Sequence, residues 1–146
     1  ALDRDGLILD ESEGYVLDSS QINILPHVKE TFRNLKELGD SSNFYGVALL
    51  TKQRAIGKGL LSKSTLDIIH KELQHKLDFR FSPILVEPEL ITKKLLFEQL
   101  VNKCKPMISP KNVLYVDNQI ENCELAVSFG FQTLHTSDIR DILSRI

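Results

Sequence analysis

The sequence predicts an α/β fold, a doubly wound parallel sheet with helices on both faces. Three observations carry this expectation. Short apolar runs alternate with amphipathic helical stretches along the whole length. The runs are nearly continuous, as strands covered on both faces require. At 146 residues the chain can bury one sizeable core without disulfide or metal, so a single domain over residues 1–146 is expected. Such alternation builds a parallel sheet with crossover helices.

The elements follow in order. Ala1 and Leu2 end a short first strand at Asp3. Residues 8–25 read as an irregular loop containing Gly14 and Tyr15. Pro26 opens a helix, because its fixed φ suits a first turn. Val28, Phe32, Leu35 and Leu38 repeat at helical spacing, and Gly39 stops the run. Residues 45–51, YGVALLT, form the second strand, followed by a polar loop, KQRAIGKG. Ser64 with Asp67 resembles a capping box, and Leu66, Ile69, Leu73 and Leu77 give that helix its inner face. Residues 82–86 read as the third strand. Thr92 caps a helix with Phe97, Leu100, Val101 and Cys104 inward. Residues 112–117, NVLYVD, are the fourth strand. Ile120, Cys123, Ala126 and Phe129 mark the next helix, stopped by Gly130. Residues 131–135 are the fifth strand, and Ser137 caps a last helix carrying Ile139, Ile142, Leu143 and Ile146. Together these make a Rossmann-like arrangement.

Composition narrows the function. The formal net charge is −2, so a general electrostatic grip on nucleic acid is disfavoured. No apolar run approaches the roughly 18 residues of a membrane span, so no membrane partner is expected. The opening ALDRDG carries acids where a secretory leader needs a basic and then an apolar stretch. Two cysteines, Cys104 and Cys123, are too few for a disulfide framework or a thiolate zinc site, and both fit inner helix faces. A reducing, cytoplasmic compartment is expected. His27, His70, His75 and His135 are scattered and read as structural.

In doubly wound sheets, ligands bind at the carboxyl ends of the strands. Asp3, Thr51 and Asp117 each occupy such an end and are expected to converge. Asp3 and Asp5 stand two apart at a strand end and project to one side, with Gly6 allowing a sharp turn. Two carboxylates so placed suit a hard, oxygen-liganded cation such as Mg2+. One could attack phosphorus while the other moves protons. A lysine would neutralise the developing charge.

LDRDG and the segment after it, GYVLDSSQINILPHVKETFRNLKELG, resemble the start of the haloacid dehalogenase-like phosphatases. The resemblance is to the capless branch of histidinol-phosphate, heptose bisphosphate and polynucleotide 3′-phosphatases. TKQRAIGKG resembles the branch's second motif, T-N-Q-S-G-I-A-R-G, and NVLYVDNQIENCELAVSFGF its fourth. The resemblance covers essentially the whole chain. It implies that Asp3 is a nucleophile forming an aspartyl-phosphate, Asp5 the general acid and base, and Thr51 a phosphate holder. The family's usual spacing back from Asn118 reaches Lys93 as the third-motif lysine, with Lys94 beside it as the alternative. Asp3, Asp5 and Asn118 would hold the metal, with Asp117 binding it directly or through water.

The sequence departs from the family where the charge counts. The fourth motif is usually G-D-x-x-x-D, whereas here Asn118 follows Asp117 and Asn122 stands four further on. Asn offers an oxygen without charge, which costs about 1–4 kcal/mol of attraction at 4 Å. Weaker magnesium binding is therefore expected. The D-N pair resembles that of phosphatases acting on the polymerase C-terminal domain, where the Asn is a metal ligand. In the second motif Lys52, Arg54 and Ala55 replace Asn, Ser and Gly, and Lys58 stands where Arg is usual. Lys52 is expected to hold phosphate, and Arg54 and Lys58 to contact substrate. The branch's zinc loop is missing, since residues 78–92 contain no Cys or His. One loop and helix fill the interval from Asp5 to Thr51, and a loop, helix and strand fill that from Thr51 to Lys93. This leaves no room for a cap domain. The open site would suit a phosphoprotein, including phosphotyrosine, or a small phosphomonoester, with the 8–25 loop and Tyr15 setting specificity. The alternatives are a catalytically impaired binding module of the same fold and a response-regulator receiver. The receiver ranks last, because the strand ending at Thr51 offers a hydroxyl in place of an acid.

Overall fold

The computed structural model describes residues 1–39, 44–88 and 92–146. Four parallel strands, β1 (Leu49–Lys52), β2 (Ile84–Glu87), β3 (Leu114–Asp117) and β4 (Gln132–His135), pair as β1 with β2 and β3 with β4. Residues 1–3 join the two pairs. Leu2 bridges in parallel to Leu49 on one side and Val116 on the other. Leu2 N–H donates to the Ala48 carbonyl at 2.8 Å, and Asp3 N–H to that of Val116 at 3.0 Å. The sheet order is therefore β2, β1, residues 1–3, β3, β4, with the N-terminal segment in the middle. Strand order reverses on either side of it, which is where open α/β sheets bind ligands.

Both faces of the sheet are covered, as the apolar runs predict. Leu49 and Val116 point into one buried cluster, with Phe32 and Leu35 of α1 (Val28–Leu38) and Ile69 and Leu73 of α3 (Lys63–Leu77). Their neighbours Leu50 and Tyr115 point into a second cluster. It contains Phe97 and Leu100 of α4 (Lys94–Cys104) and Ala126 of α5 (Ile120–Ser128). The period-two split follows from strand pleating. Phe32 seals the first cluster edge-on to Phe79 and Phe81, with centroids 4.9 and 5.4 Å away. Gly130 (φ 87°) ends α5, in the left-handed region that glycine enters most cheaply.

Local details differ from the sequence expectations. The α3 cap is Ser62, which accepts from Thr65 N–H, and Ser64 lies inside the helix. Leu61 and Leu66 flank this cap in one buried cluster, a hydrophobic staple that fixes the start two residues early. KQRAIGKG contains a helical turn, α2 (Arg54–Gly57), rather than loop throughout. The strand at residues 45–51 begins only at Leu49, and Tyr45 is exposed. The last helix is a 3-10 segment, Ile139–Ser144, capped by Asp138 rather than Ser137 because the Asp138 carboxylate reaches Arg140 N–H. Leu38, Ile120 and Ile146, each read as part of a helical apolar repeat, are exposed. Residues 8–25 are only partly loop-like, since Ile8, Leu9 and Val16 are buried and Leu9 pairs with Ile24. Thr92 does sit at the α4 start, its hydroxyl accepting from Lys94 N–H at 3.4 Å, while Lys93 takes the cap position. Among the described residues there is no cap domain between Asp5 and Lys93, and no helix is long and apolar enough to cross a membrane. Both cysteines are free thiols, Cys123 buried and Cys104 half-buried.

Candidate active site

The sheet order places Asp3, at the end of the central segment, between Thr51 of β1 and Asp117 of β3. A cavity of about 300 Å³ opens there, lined by Asp3, Asp5, Tyr15, Lys52, Arg54 and Lys93, together with Glu11, Gln53 and Asn122. Thr51, Asp117, Asn118 and Lys58 stand behind or beside it rather than among its lining residues. A larger hollow, about 810 Å³, lies at the opposite ends of β1 and β2, around Phe44, Tyr45, Phe79 and the exposed Lys36–Asp78 pair. Chemistry rather than volume singles out the smaller cavity.

Lys93 organises its floor. The residue is 1% exposed, and its ammonium donates to Asp3 Oδ1, to Asp117 Oδ2 at 3.1 Å, to the Tyr115 hydroxyl at 3.0 Å and to the Leu50 carbonyl at 3.2 Å. Lys94 points to solvent and pairs loosely with Glu98 at 3.8 Å. The geometry thus distinguishes the two lysines that sequence spacing leaves open. Burial would lower the Lys93 pKa, but Asp3 and Asp117 outweigh it and hold the ammonium charged. The trio then has two acids for one base. Burial pushes Asp3 up to about 7, against the pull of Lys93, and the Asp117 charge adds to the rise. Lys93 also heads α4, where the helix dipole disfavours a cation. Its two carboxylates supply the compensation.

Asp117 is wholly enclosed. Its Oδ1 accepts from Gln119 N–H at 2.8 Å, and its Oδ2 from Lys93, Tyr115 and Asn122 Nδ2, the last at 2.8 Å. Oδ2 takes three donors and Oδ1 one, so hydrogen bonds engage both oxygens, and the residue does not line the cavity. Tyr115 and Asn122 are contacts of Asp117 that sequence reading missed or left without a role. Tyr115 lies inside an apolar strand run and reads as core, and it does pack edge-on against Phe97 at 4.8 Å.

Asp5 is gripped from the other side. Arg4 Nε and Nη2 donate to its two oxygens at 2.9 and 3.0 Å, and Gln53 Nε2 adds a 3.0 Å bond. The same Gln53 amide donates to the Thr51 hydroxyl at 2.7 Å, so Thr51, 0% exposed, meets Gln53 before any ligand. Gln53 was also missed, although it occupies the Gln position of the second-motif resemblance. Arg4 itself is buried, with Nη1 3.2 Å from His70 Nε2. Burial first and the Arg4 charge second pull the His70 pKa down to about 4, so the ring is neutral and its Nε2 accepts.

Asn118 has an unpaired oxygen. Its Nδ2 donates to Glu11 Oε1 at 3.3 Å, while Oδ1 is buried with no hydrogen-bond partner among the described residues. Asp3 Oδ2 likewise takes no bond from the described residues, since Lys93 uses Oδ1. No three His, Cys, Asp or Glu side chains among the described residues gather into a metal cluster. The available donors are oxygens only. Magnesium is bound in this way, through one or two protein oxygens plus waters and substrate phosphate. The residues present therefore fit such an ion. At the mouth, Lys58 donates to the Tyr15 hydroxyl at 2.9 Å and its ammonium lies 5.2 Å from the ring centroid, pinning the 8–25 loop to the α2 turn.

No family profile and no curated protein matches the sequence. Solved structures do match its shape. The D,D-heptose 1,7-bisphosphate phosphatase of B. bronchiseptica, complexed with magnesium and phosphate, superposes with TM-score 0.78 over 99% of this chain and 84% of that one, at 19% identity. The corresponding phosphatase of Burkholderia thailandensis gives 0.61 at 20% identity, over 99% and 83% of the two chains. A HAD-like protein of Mesorhizobium loti gives 0.71 at 18%, over 89% and 67%. At such identities the likeness is one of fold, and that fold is the one expected from the sequence.

Two outcomes follow from the buried charges. Lys93→Met leaves two carboxylates enclosed without their cation and lowers unfolding free energy by about 3 kcal/mol. Lys94→Met changes it by no more than about 0.5 kcal/mol. Denaturant titration of both variants checks the pair. His70, neutral when folded, gains its proton in the unfolded chain first. Its contribution is complete above the unfolded pKa of about 6.5 and is lost as pH falls towards 4, up to about 3 kcal/mol. The pH dependence of denaturant midpoints in wild type and His70→Gln reads this loss, which flattens in the variant.

Proposed function

We propose that this protein is a magnesium-dependent phosphomonoesterase that works through an aspartyl-phosphate on Asp3. The observation that carries the reading is the convergence of Asp3, Asp5 and Lys93 on one cavity at the strand-order reversal of the sheet. The fold shared with magnesium- and phosphate-bound heptose bisphosphate phosphatase supports it. Asp3 attacks phosphorus, and the bond to the leaving oxygen breaks as Asp5 gives that oxygen a proton. Water then attacks the phosphoryl group, Asp5 takes its proton, and the Asp3–phosphorus bond breaks to release phosphate. Lys93 holds the attacking carboxylate and stabilises charge on the transferred group. Asp3 and Asn118 would hold the magnesium, with Asp5 beside them, and the ion would supply charge neutralisation as phosphorus is attacked. Asp117, with both oxygens engaged, serves as the anchor of Lys93.

For the substrate we favour a small phosphorylated molecule over a phosphoprotein. A cavity of about 300 Å³ is at the lower bound for small-ligand sites. Lys52 and Arg54, at its wall, would meet the phosphate or another anionic group. Thr51 would act on phosphate through Gln53, with Tyr15 and Lys58 shaping the mouth. Two unpaired thiols agree with a cytoplasmic setting. One observation favours the second reading, a catalytically impaired binding module. Arg4 holds both oxygens of Asp5, and the proton transfers require that carboxyl to turn towards the substrate.

Hydrolysis of a generic aryl phosphate separates the readings. Wild type is expected to need magnesium, to stop in chelator, and to lose about a thousandfold or more in Asp3→Asn. Unchanged turnover in Asp3→Asn, or indifference to chelator, contradicts the proposal. An inert wild type at every magnesium concentration gives the weight to the binding module.

A further inference from the structure

Asn118 stands where a charged ligand would bind magnesium more tightly, and its own oxygen is the one buried side-chain atom without a partner among the described residues. The other end of the same amide donates to Glu11 Oε1 at 3.3 Å. Glu11 comes from the 8–25 loop, lines the cavity and is exposed at its rim. A carboxylate facing a phosphate site repels the ligand unless a cation lies between them. Both side chains rest on Gly6. A Cβ there would stand 2.3 Å from Asn118 Nδ2 and 2.7 Å from Glu11 Oε1, and φ is +85°, so only glycine leaves room for the pair.

We propose that Glu11 is a positioning residue for Asn118, restoring through the amide the negative charge that the asparagine lacks. The inference rests on the magnesium reading above. A carboxylate that accepts the amide N–H fixes which end of the side chain turns inward. It also draws the N–H dipole outward, raising electron density on Oδ1. Carboxylates that accept from metal-bound histidines act in the same way, and their loss typically costs 10–100-fold in metal affinity. The loop read from sequence as a specificity element would then be part of the metal site as well.

The test is calorimetric titration of magnesium chloride into the chelator-stripped full chain, for wild type, Glu11→Gln, Asn118→Asp and the double variant. Glu11→Gln is expected to weaken binding about tenfold, while leaving the thermal midpoint in chelator unchanged. Asn118→Asp is expected to tighten binding. In that background Glu11→Gln no longer weakens it, because the ligand carries its own charge. Unchanged affinity in Glu11→Gln overturns the inference. Equal weakening in both backgrounds also overturns it, since Glu11 would then act as a bare charge rather than through Asn118. Should Glu11→Gln not fold, Glu11→Asp withdraws the carboxylate by one methylene and is expected to weaken binding in the same way. A wild type that binds no magnesium overturns the metal reading and the inference together.

Discussion

The site depends on one ammonium group held between two buried carboxylates. Lys93 reaches from the start of α4 to Asp3 and Asp117, across the ends of two neighbouring strands. Each ion alone would cost several kcal/mol to bury, and together they form a network closed by Tyr115, Asn122, the Gln119 amide and the Leu50 carbonyl. Burial first, with the Asp117 charge added, holds the Asp3 carboxyl up to about 7 against the pull of Lys93. An incoming cation would favour its charged form. The same lysine sits at a helix start, against the dipole, which makes it a poor choice for stability alone.

Around this centre the chain deploys a second, separate set of contacts. Arg4 lines the cavity while almost wholly buried, and its guanidinium spans Asp5 and His70. The acid–base candidate is thus oriented from the core of α3, and Gln53 ties it to Thr51 on β1. Asp3 and Asp5, two residues apart, are held by different elements. The nucleophile candidate is fixed by α4 and β3, and the proton carrier by α3 and the turn after β1.

Much of this was legible in the sequence because it follows from spacing. The apolar runs gave the strands, the helical repeats of α1 and α3 gave their buried faces, and the strand-end rule brought Asp3, Thr51 and Asp117 together. Missing were the contacts that depend on side-chain direction across long sequence separations. Tyr115 reads as core because its ring packs as core, while its hydroxyl joins the Lys93–Asp117 hydrogen bonds. Gln53 is one polar residue in a polar stretch. Arg4 reads as a surface charge until its partners Asp5 and His70 are known. Caps shifted by one or two residues, Ser64 to Ser62 and Ser137 to Asp138, because serines and acids cluster there and only packing chooses among them. The choice between Lys93 and Lys94 required the fold, since adjacent residues at a helix start point to different sides.

The central claim is that Asp3 carries the phosphoryl group during turnover. The direct measurement is to quench the magnesium-loaded enzyme with acid during hydrolysis of an aryl phosphate, reduce it with borohydride, and locate the modified residue by peptide mass spectrometry. An acyl phosphate reduces to an alcohol, so the account predicts homoserine at position 3 and nowhere else, dependent on substrate. Homoserine at Asp5 or Asp117, or active turnover with residue 3 unmodified under conditions that trap an acyl phosphate in a known aspartyl-phosphate enzyme, would contradict it.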